Sequence, residues 1–218
     1  MNFISLLLIA PMIWGKAEPA QSALRAKPQP HSASPLSSFS VQWDDPKYQA
    51  CNTAFTSNYM SQQEKDVIWI LNMARSYPQL FCETVVKKYA EYSLNDELEA
   101  TTWYKSLVAT MTKMKPVNVL TPDQNCYNSA QCHAYNSGVR GYEGHERARG
   151  CEAKQYYNGE CCDYSNDQAI DIVMSLLIDE NVESLGHREI CFSPYKTIGV
   201  SIQPHKTWKF NAVLDFHN

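Results

Sequence analysis

The sequence predicts an α+β fold stapled by disulfides, and three observations carry that expectation. Between Ser61 and Leu177, apolar residues recur at helical spacing in one segment after another. From Thr197 the pattern changes to alternation, in two runs separated by a four-residue turn, as in a β-hairpin. The chain also carries eight cysteines, an even number that favours disulfides if the protein is exported.

The 218 residues are enough for one domain with a core of its own. A net charge of −4 offers nothing to a phosphate backbone or an anionic membrane surface, so nucleic acid is not an expected partner. Phe3 to Trp14 is an apolar run too short to cross a bilayer as a helix. Small residues follow, at Gly15 and Ala17, and residues 1–17 therefore read as a secretory signal peptide. The expected location is extracellular or periplasmic, with no integral membrane segment left after cleavage. The cysteines are Cys51, Cys82, Cys126, Cys132, Cys151, Cys161, Cys162 and Cys191. No C-x-x-C pair occurs among them, which favours disulfides over a cysteine metal site. Neighbouring Cys161 and Cys162 are expected to reach different partners, because a bridge between adjacent residues strains the peptide unit.

Residues 18–40 are rich in Pro, Ser, Ala and Gln and read as a disordered linker before a domain spanning 41–218. Val41 to Tyr59, with Trp43, Tyr48, Cys51 and Phe55, is expected to lie as irregular structure against that domain. Ser61-Gln62-Gln63-Glu64 is a capping box opening a helix whose buried face is Val67, Ile70, Leu71 and Ala74. Pro78 interrupts it, and a second helical piece runs over Gln79 to Tyr92. Asn95 or Asp96 caps a third, through Leu98, Trp103, Leu107, Val108 and Met111. Thr121 and Pro122 suit the N-cap and first position of a fourth helix. That helix carries Cys126, Ala130, His133 and Ala134 and stops at Gly138, with His133 a hydrogen-bonded core histidine. The glycines of Gly141-Tyr142-Glu143-Gly144-His145-Glu146-Arg147 imply a sharply turning loop that presents His145. Glu152 to Tyr157 reads as a strand, and Gly159-Glu160-Cys161-Cys162 as a stapled turn. Asn166 or Asp167 caps the helix of Ile170, Val173, Met174 and Leu177, which leads through an acidic turn to Gly186-His187-Arg188. The hairpin pairs Thr197 to Gln203 with Trp208 to Phe216, leaving His205 solvated at its tip.

These pieces, in this order, resemble the CAP superfamily (cysteine-rich secretory proteins, antigen 5 and pathogenesis-related 1), most closely its compact bacterial SCP-like domains. The matching stretches are IWILNMARSYP, the helix with A-x-x-x-A ending near GYEGH, the G-E-C at Gly159, LGHREICFSPYKTIGVSI and FNAVLDF, spanning Glu64 to Phe216. The resemblance implies a three-layer α-β-α sandwich with a central antiparallel sheet. It also implies a cleft where two histidines and two acids meet. His145 matches the first histidine and His187 the second. Glu160 matches the first acid, although the family shows G-E-N where this chain has G-E-C. The second acid follows a helical tryptophan by three residues; Leu177 stands in the tryptophan's place, which makes Glu180 its counterpart, with Asp179 and Glu183 as alternatives.

Two imidazoles, His145 and His187, with one or two carboxylates suit a borderline divalent ion such as Zn²⁺ and leave a position open for water or ligand. The resemblance adds a small or lipid-like ligand in the cleft, since some members bind sterols and lipids. The same side chains could instead form a hydrolase, through metal-activated water or a histidine general base. In that reading His145, Glu160, Glu180 and His187 are the catalytic candidates. Ser184 lies close to His187 in sequence but lacks a G-x-S-x-G setting. A third reading makes the cluster a polar network that ties loops together.

Overall fold

The structure, a computed structural model, describes residues 33–218. The expected signal peptide, and the linker as far as Ser32, lie outside the described residues. The end of the expected linker belongs to the domain: Leu36 is wholly buried, Phe39 nearly so, and the Ser34 amide donates to Asp44 Oδ1 at 3.1 Å. Short 3-10 helices, Val41–Asp44 and Pro46–Cys51, follow, with Trp43 sealed in the core.

Helix α1 (Gln62–Ser76) has the capping box its sequence specifies: the Glu64 amide donates to Ser61 Oγ and the Ser61 amide to Glu64 Oε2. The other oxygen of Glu64 accepts from the Ile202 amide at 2.9 Å, so one carboxylate caps a helix and anchors a strand. Pro78 opens α2 (Pro78–Phe81), followed by a π-helical turn at Cys82–Val86 and by α3 (Lys87–Tyr92). Helix α4 (Thr102–Lys113) starts later than expected, because Thr101, and not Asn95 or Asp96, accepts from the Tyr104 amide. Thr121–Pro122 is a short strand, β1, and the cap of α5 (Gln124–Arg140) passes to Asp123, whose carboxylate takes two amides.

Helix α5 does not stop at Gly138. It ends at Arg140, and Gly141 supplies the left-handed residue at φ 68°. Gly138 answers a different need, since a Cβ there would lie 2.1 Å from the Pro204 carbonyl oxygen. The expected strand at Glu152 is a single 3-10 turn, Glu152–Lys154, and the expected stapled turn is instead a strand, β2 (Gly159–Tyr164). Helix α6 (Ala169–Ile178) begins after Gln168, without a side-chain cap from Asn166 or Asp167. The turn carrying His187 opens a short helix, α7 (Gly186–Phe192). Strands β3 (Thr197–His205) and β4 (Lys209–His217) form the hairpin.

The four strands lie in the order β1-β3-β4-β2. The sheet is mixed and not wholly antiparallel, because β1 runs parallel to β3 while β4 is antiparallel to both neighbours. Alternation assigns its two faces. Cys161, Leu214 and Val200 are in register on the face that joins α1 and α6 in the main core. Cys162 and Val213 pack on the other face against Ala130 and Ala134 of α5. Helices therefore cover both sides. Among the described residues no helix is long and apolar enough to cross a membrane.

The cysteines pair less than the sequence suggests. One bridge forms, Cys132–Cys151, while Cys51, Cys82, Cys126, Cys161, Cys162 and Cys191 are free and buried. Cys161 and Cys162 do diverge as expected, since adjacent strand residues enter opposite faces. In the core these thiols act as small hydrophobic side chains.

Candidate functional site

His145 and His187 come together. Their ring centroids are 6.3 Å apart with planes inclined by 41°. The fold alone achieves this: His145 sits in the loop after α5, on one side of the sheet, and His187 opens α7 on the other. Both approach the outer edge of β2, which carries Glu160.

Each ring is oriented by a carboxylate. His145 Nδ1 lies 2.9 Å from Glu160 Oε1, and His187 Nδ1 lies 2.8 Å from Asp179 Oδ1. Neither Nε2 has a partner among the described residues. His145 is the more exposed ring, at 56% of its side chain against 22% for His187. The hydrogen bond to Glu160 outweighs burial and raises the His145 pKa above its ordinary value.

The acid that bonds His187 is Asp179 and not Glu180, which lines the cleft without touching either histidine. Asp179 is the residue after α6 and adopts the left-handed conformation at φ 58°, which short polar side chains tolerate best. That turn aims its carboxylate inward, where Oδ2 accepts from the amides of His187 and Arg188 at 3.0 and 3.2 Å. Glu180 and Glu183, the other two acids weighed for this role, are exposed. Asp179→Ala should lower stability by about 1–2 kcal/mol, measured by urea denaturation, because it removes the acceptor for two amides together with the hold on His187. Asp179→Asn, which keeps the backbone preference and one acceptor oxygen, should cost less.

Behind His145 is a buried ionic network that the sequence reading missed. The Arg147 guanidinium donates to Glu160 Oε2, to Asp215 Oδ2 at 2.9 Å and to the Ser129 carbonyl at 2.6 Å. Glu160 and Asp215 stand directly opposite one another on β2 and β4, a placement that repels when both are charged. Arg147 and a proton resolve the conflict. Burial, aided by the Glu160 charge, pushes the Asp215 pKa up to about 8. For Glu160, burial would raise the pKa, but the His145 hydrogen bond and the Arg147 charge outweigh it and hold the group below the usual carboxylate range. The pair is thus driven apart, with Glu160 favouring the ionised form and Asp215 the protonated one. A signal for this was available: Asp215 interrupts the apolar alternation of NAVLDF, and a carboxylate in a core strand needs a partner.

His133 is buried as expected, donating from Nε2 to the Gly144 carbonyl at 2.9 Å, with its Nδ1 buried and without a partner among the described residues. Burial lowers its pKa. His133, Glu160 and Cys162 bring ligand atoms within 4.8 Å of one another, so this buried group could hold a metal ion. Cys162 Sγ also lies 3.7 Å from His145 Nδ1. The thiol and Glu160 thus meet the same nitrogen, and His145 cannot relay a proton between them as in a nucleophilic triad. Burial holds the Cys162 pKa well above that of an ordinary thiol. Ser184 is exposed and bonds to neither histidine. His205, expected in solvent, is buried: Nε2 donates to the Tyr142 carbonyl and Nδ1 accepts from the Thr207 and Trp208 amides. The loop that presents His145 folds over the hairpin end and covers it.

A cleft of about 490 Å³ opens beside His187. Glu143, Asp163, Asp179 and Glu180 contribute to its wall, Leu98 and Val182 supply apolar surface, and no Lys or Arg among the described residues lines it. Burial pushes the Asp163 pKa up to about 7, against hydrogen bonds from Ser175 and Asn166. The cleft therefore favours a cation or a neutral ligand with an apolar part over an anion. The chain was compared with protein-family models, with curated proteins and with solved structures, and none of these comparisons gave a match.

Proposed function

We propose that this chain is an exported, CAP-like binding domain in which His145 and His187 hold a divalent transition-metal ion, with Zn²⁺ the best fit, while the adjoining cleft takes a small or lipid-like ligand. One observation carries the reading: each imidazole gives its Nδ1 to a carboxylate and keeps Nε2 unpartnered, as ligating histidines do when a second shell fixes tautomer and ring direction. Metal–nitrogen bonds of about 2.0–2.1 Å at a tetrahedral angle ask for ring centroids roughly 5 Å apart, so the exposed His145 ring would have to move inward from the 6.3 Å seen here to share one ion with His187. The donor set of two imidazoles, with positions left for water or ligand, is the chemistry a borderline divalent ion accepts. The acidic cleft beside His187, without a basic residue in its wall, supports a cation in the same place. Among the described residues no hydroxyl or reactive thiol is placed beside the histidines to attack a substrate, which disfavours covalent catalysis; hydrolysis by metal-activated water is the alternative, and an ester or peptide substrate cleaved only without chelator would favour it.

The test is titration calorimetry of the untagged, folded chain with Zn²⁺. One ion per chain is expected. His145→Ala and His187→Ala should each weaken binding by more than tenfold, and Asp179→Asn by about tenfold as an outer-shell loss. Binding that survives both histidine substitutions but disappears in Cys162→Ser would move the ion to the buried His133, Glu160 and Cys162 group. No binding at all would remove the metal from the proposal.

A further inference from the structure

A second concavity lies away from the histidines, along the solvent face of α5. We infer that this groove is a binding site for a neutral carbohydrate chain. It encloses about 820 Å³, within the usual range of ligand sites, about 300–1,000 Å³. Six side-chain amides line it: Asn125, Asn128, Gln131, Asn136, Gln155 and Gln203. Among the described residues Lys154 is the one charged side chain in the lining, and the aromatic surface comes from Tyr135 and Tyr156, exposed by 57% and 38%.

The arrangement is built and held. Asn125, Asn128, Gln131 and Tyr135 recur at helical spacing on the exposed side of α5, opposite the Ala130 and Ala134 face that packs on the sheet. The facing wall, through Gln155 and Tyr156, is tied to the helix at two points. The Cys132–Cys151 disulfide crosses at one, and the Tyr156 amide donates to Ser129 Oγ at 3.0 Å at the other. The Tyr156 ring is fixed by stacking on His217, with centroids 4.2 Å apart. Asn136 is held by its bond to the Cys132 carbonyl at 2.9 Å.

Much of the hydrogen-bonding capacity is unused. The side chains of Asn125 and Gln155, the amide nitrogen of Asn128 and the amide oxygen of Gln131 have no partner among the described residues. A side-chain amide presents donors and an acceptor in one plane, the pattern that adjacent hydroxyls of a sugar can satisfy together. Tyrosine rings give the apolar C–H faces of sugar rings a platform while their hydroxyls stay polar. Other ligand classes fit less well. An anion would find a single lysine, a lipid would find no apolar wall, and an extended peptide would find neither a free strand edge nor side-chain pockets.

The inference is independent of the histidine site, and its test uses the intact, oxidised chain. Cellohexaose, chitohexaose and maltohexaose are titrated by calorimetry and by amide NMR shifts. The expected result is binding of at least one, with shifts confined to α5 and residues 151–157, and with little dependence on salt. Tyr135→Ala, Asn128→Ala and Gln155→Ala alter exposed side chains and should each weaken binding about tenfold, with unchanged melting curves and with His187→Ala neutral. Gln155→Ala, in the loop, keeps the test decisive if a helix variant fails to fold. The inference is overturned if none of the three saccharides binds, if binding is insensitive to these substitutions, or if a sulfated oligosaccharide or a polar peptide occupies the groove in their place.

Discussion

Arg147→Ala should cost the domain about 3–5 kcal/mol near neutral pH, among the largest effects expected of any single substitution here. The guanidinium is buried and bonds to two carboxylates and a carbonyl that are themselves buried. Without it, Glu160 keeps only the half-exposed His145 as a partner and Asp215 loses its guanidinium donor, and leaving charge buried and poorly paired is what makes such losses large. The deficit should depend on pH with a definite sign. Burial pushes the Asp215 pKa up from 3.8 to about 8, so the folded state binds this proton more tightly than the unfolded chain does. Stability through that group is fully present at acid pH and is lost as pH rises toward and through about 8. Glu160, held below its ordinary value, acts in the opposite sense and loses its contribution only as pH falls through its folded pKa. Removing Arg147 takes away the charge that keeps Glu160 low, so both carboxyls retain protons more readily. The variant's deficit should therefore shrink toward about pH 5 and be greatest above pH 8. Urea denaturation of both proteins across that range checks this. A deficit independent of pH would mean that Arg147 acts through packing, including its contact with the Tyr157 ring, and not through charge.

Gly199→Ala should be comparably damaging, for a steric reason. A Cβ at this position in β3 would lie 2.0 Å from the Tyr127 nitrogen and 2.2 Å from the Cys126 carbonyl carbon. Both are backbone atoms of α5, so no rotamer change relieves the clash, and helix and sheet must separate. Overpacking a core ordinarily costs about 1–3 kcal/mol, and an obstacle made of backbone belongs at or beyond the upper end. Gly186→Ala is the control. There the nearest atom is the flexible Ser184 Oγ at 3.3 Å, and the change should stay within about 0.5 kcal/mol. Denaturant midpoints for the two variants, compared at one pH, decide the matter.

Much of the fold was legible because its signals are local. The Ser61 capping box, the break at Pro78, the helix through Val173 and the hairpin after Thr197 each depend on residues a few positions apart, and each is present in the structure. Misreadings arose where distant chain segments decide. Gly138 reads as a helix stop until β3 is seen to pass against it. His205 is a turn residue that becomes buried only when the loop after α5 closes over the hairpin. Cys161 and Cys191 are close to one another yet remain thiols, and cysteine count alone cannot tell adjacency from bonding. Motif order singles out His145, Glu160 and His187, which the fold brings together, but spacing cannot choose between Asp179 and Glu180 as the partner of His187. A left-handed turn after α6 makes that choice, directing the first carboxylate inward and the second to water. Arg147 and Asp215 were missed because their partnership exists only across paired strands.

The position of β2 has one more consequence. As the last strand in the order β1-β3-β4-β2 it could offer unpaired amides and carbonyls to a strand from another molecule, the usual route to edge-on aggregation. Its residues are nonetheless buried from Gly159 to Asp163, with Cys161 in the main core and Cys162 against α5, and the segments bearing the two histidines meet it at Glu160 and Cys161. The opposite margin, β1, is only two residues long, so neither edge of the sheet presents the long, flat, exposed strand that favours edge-on pairing.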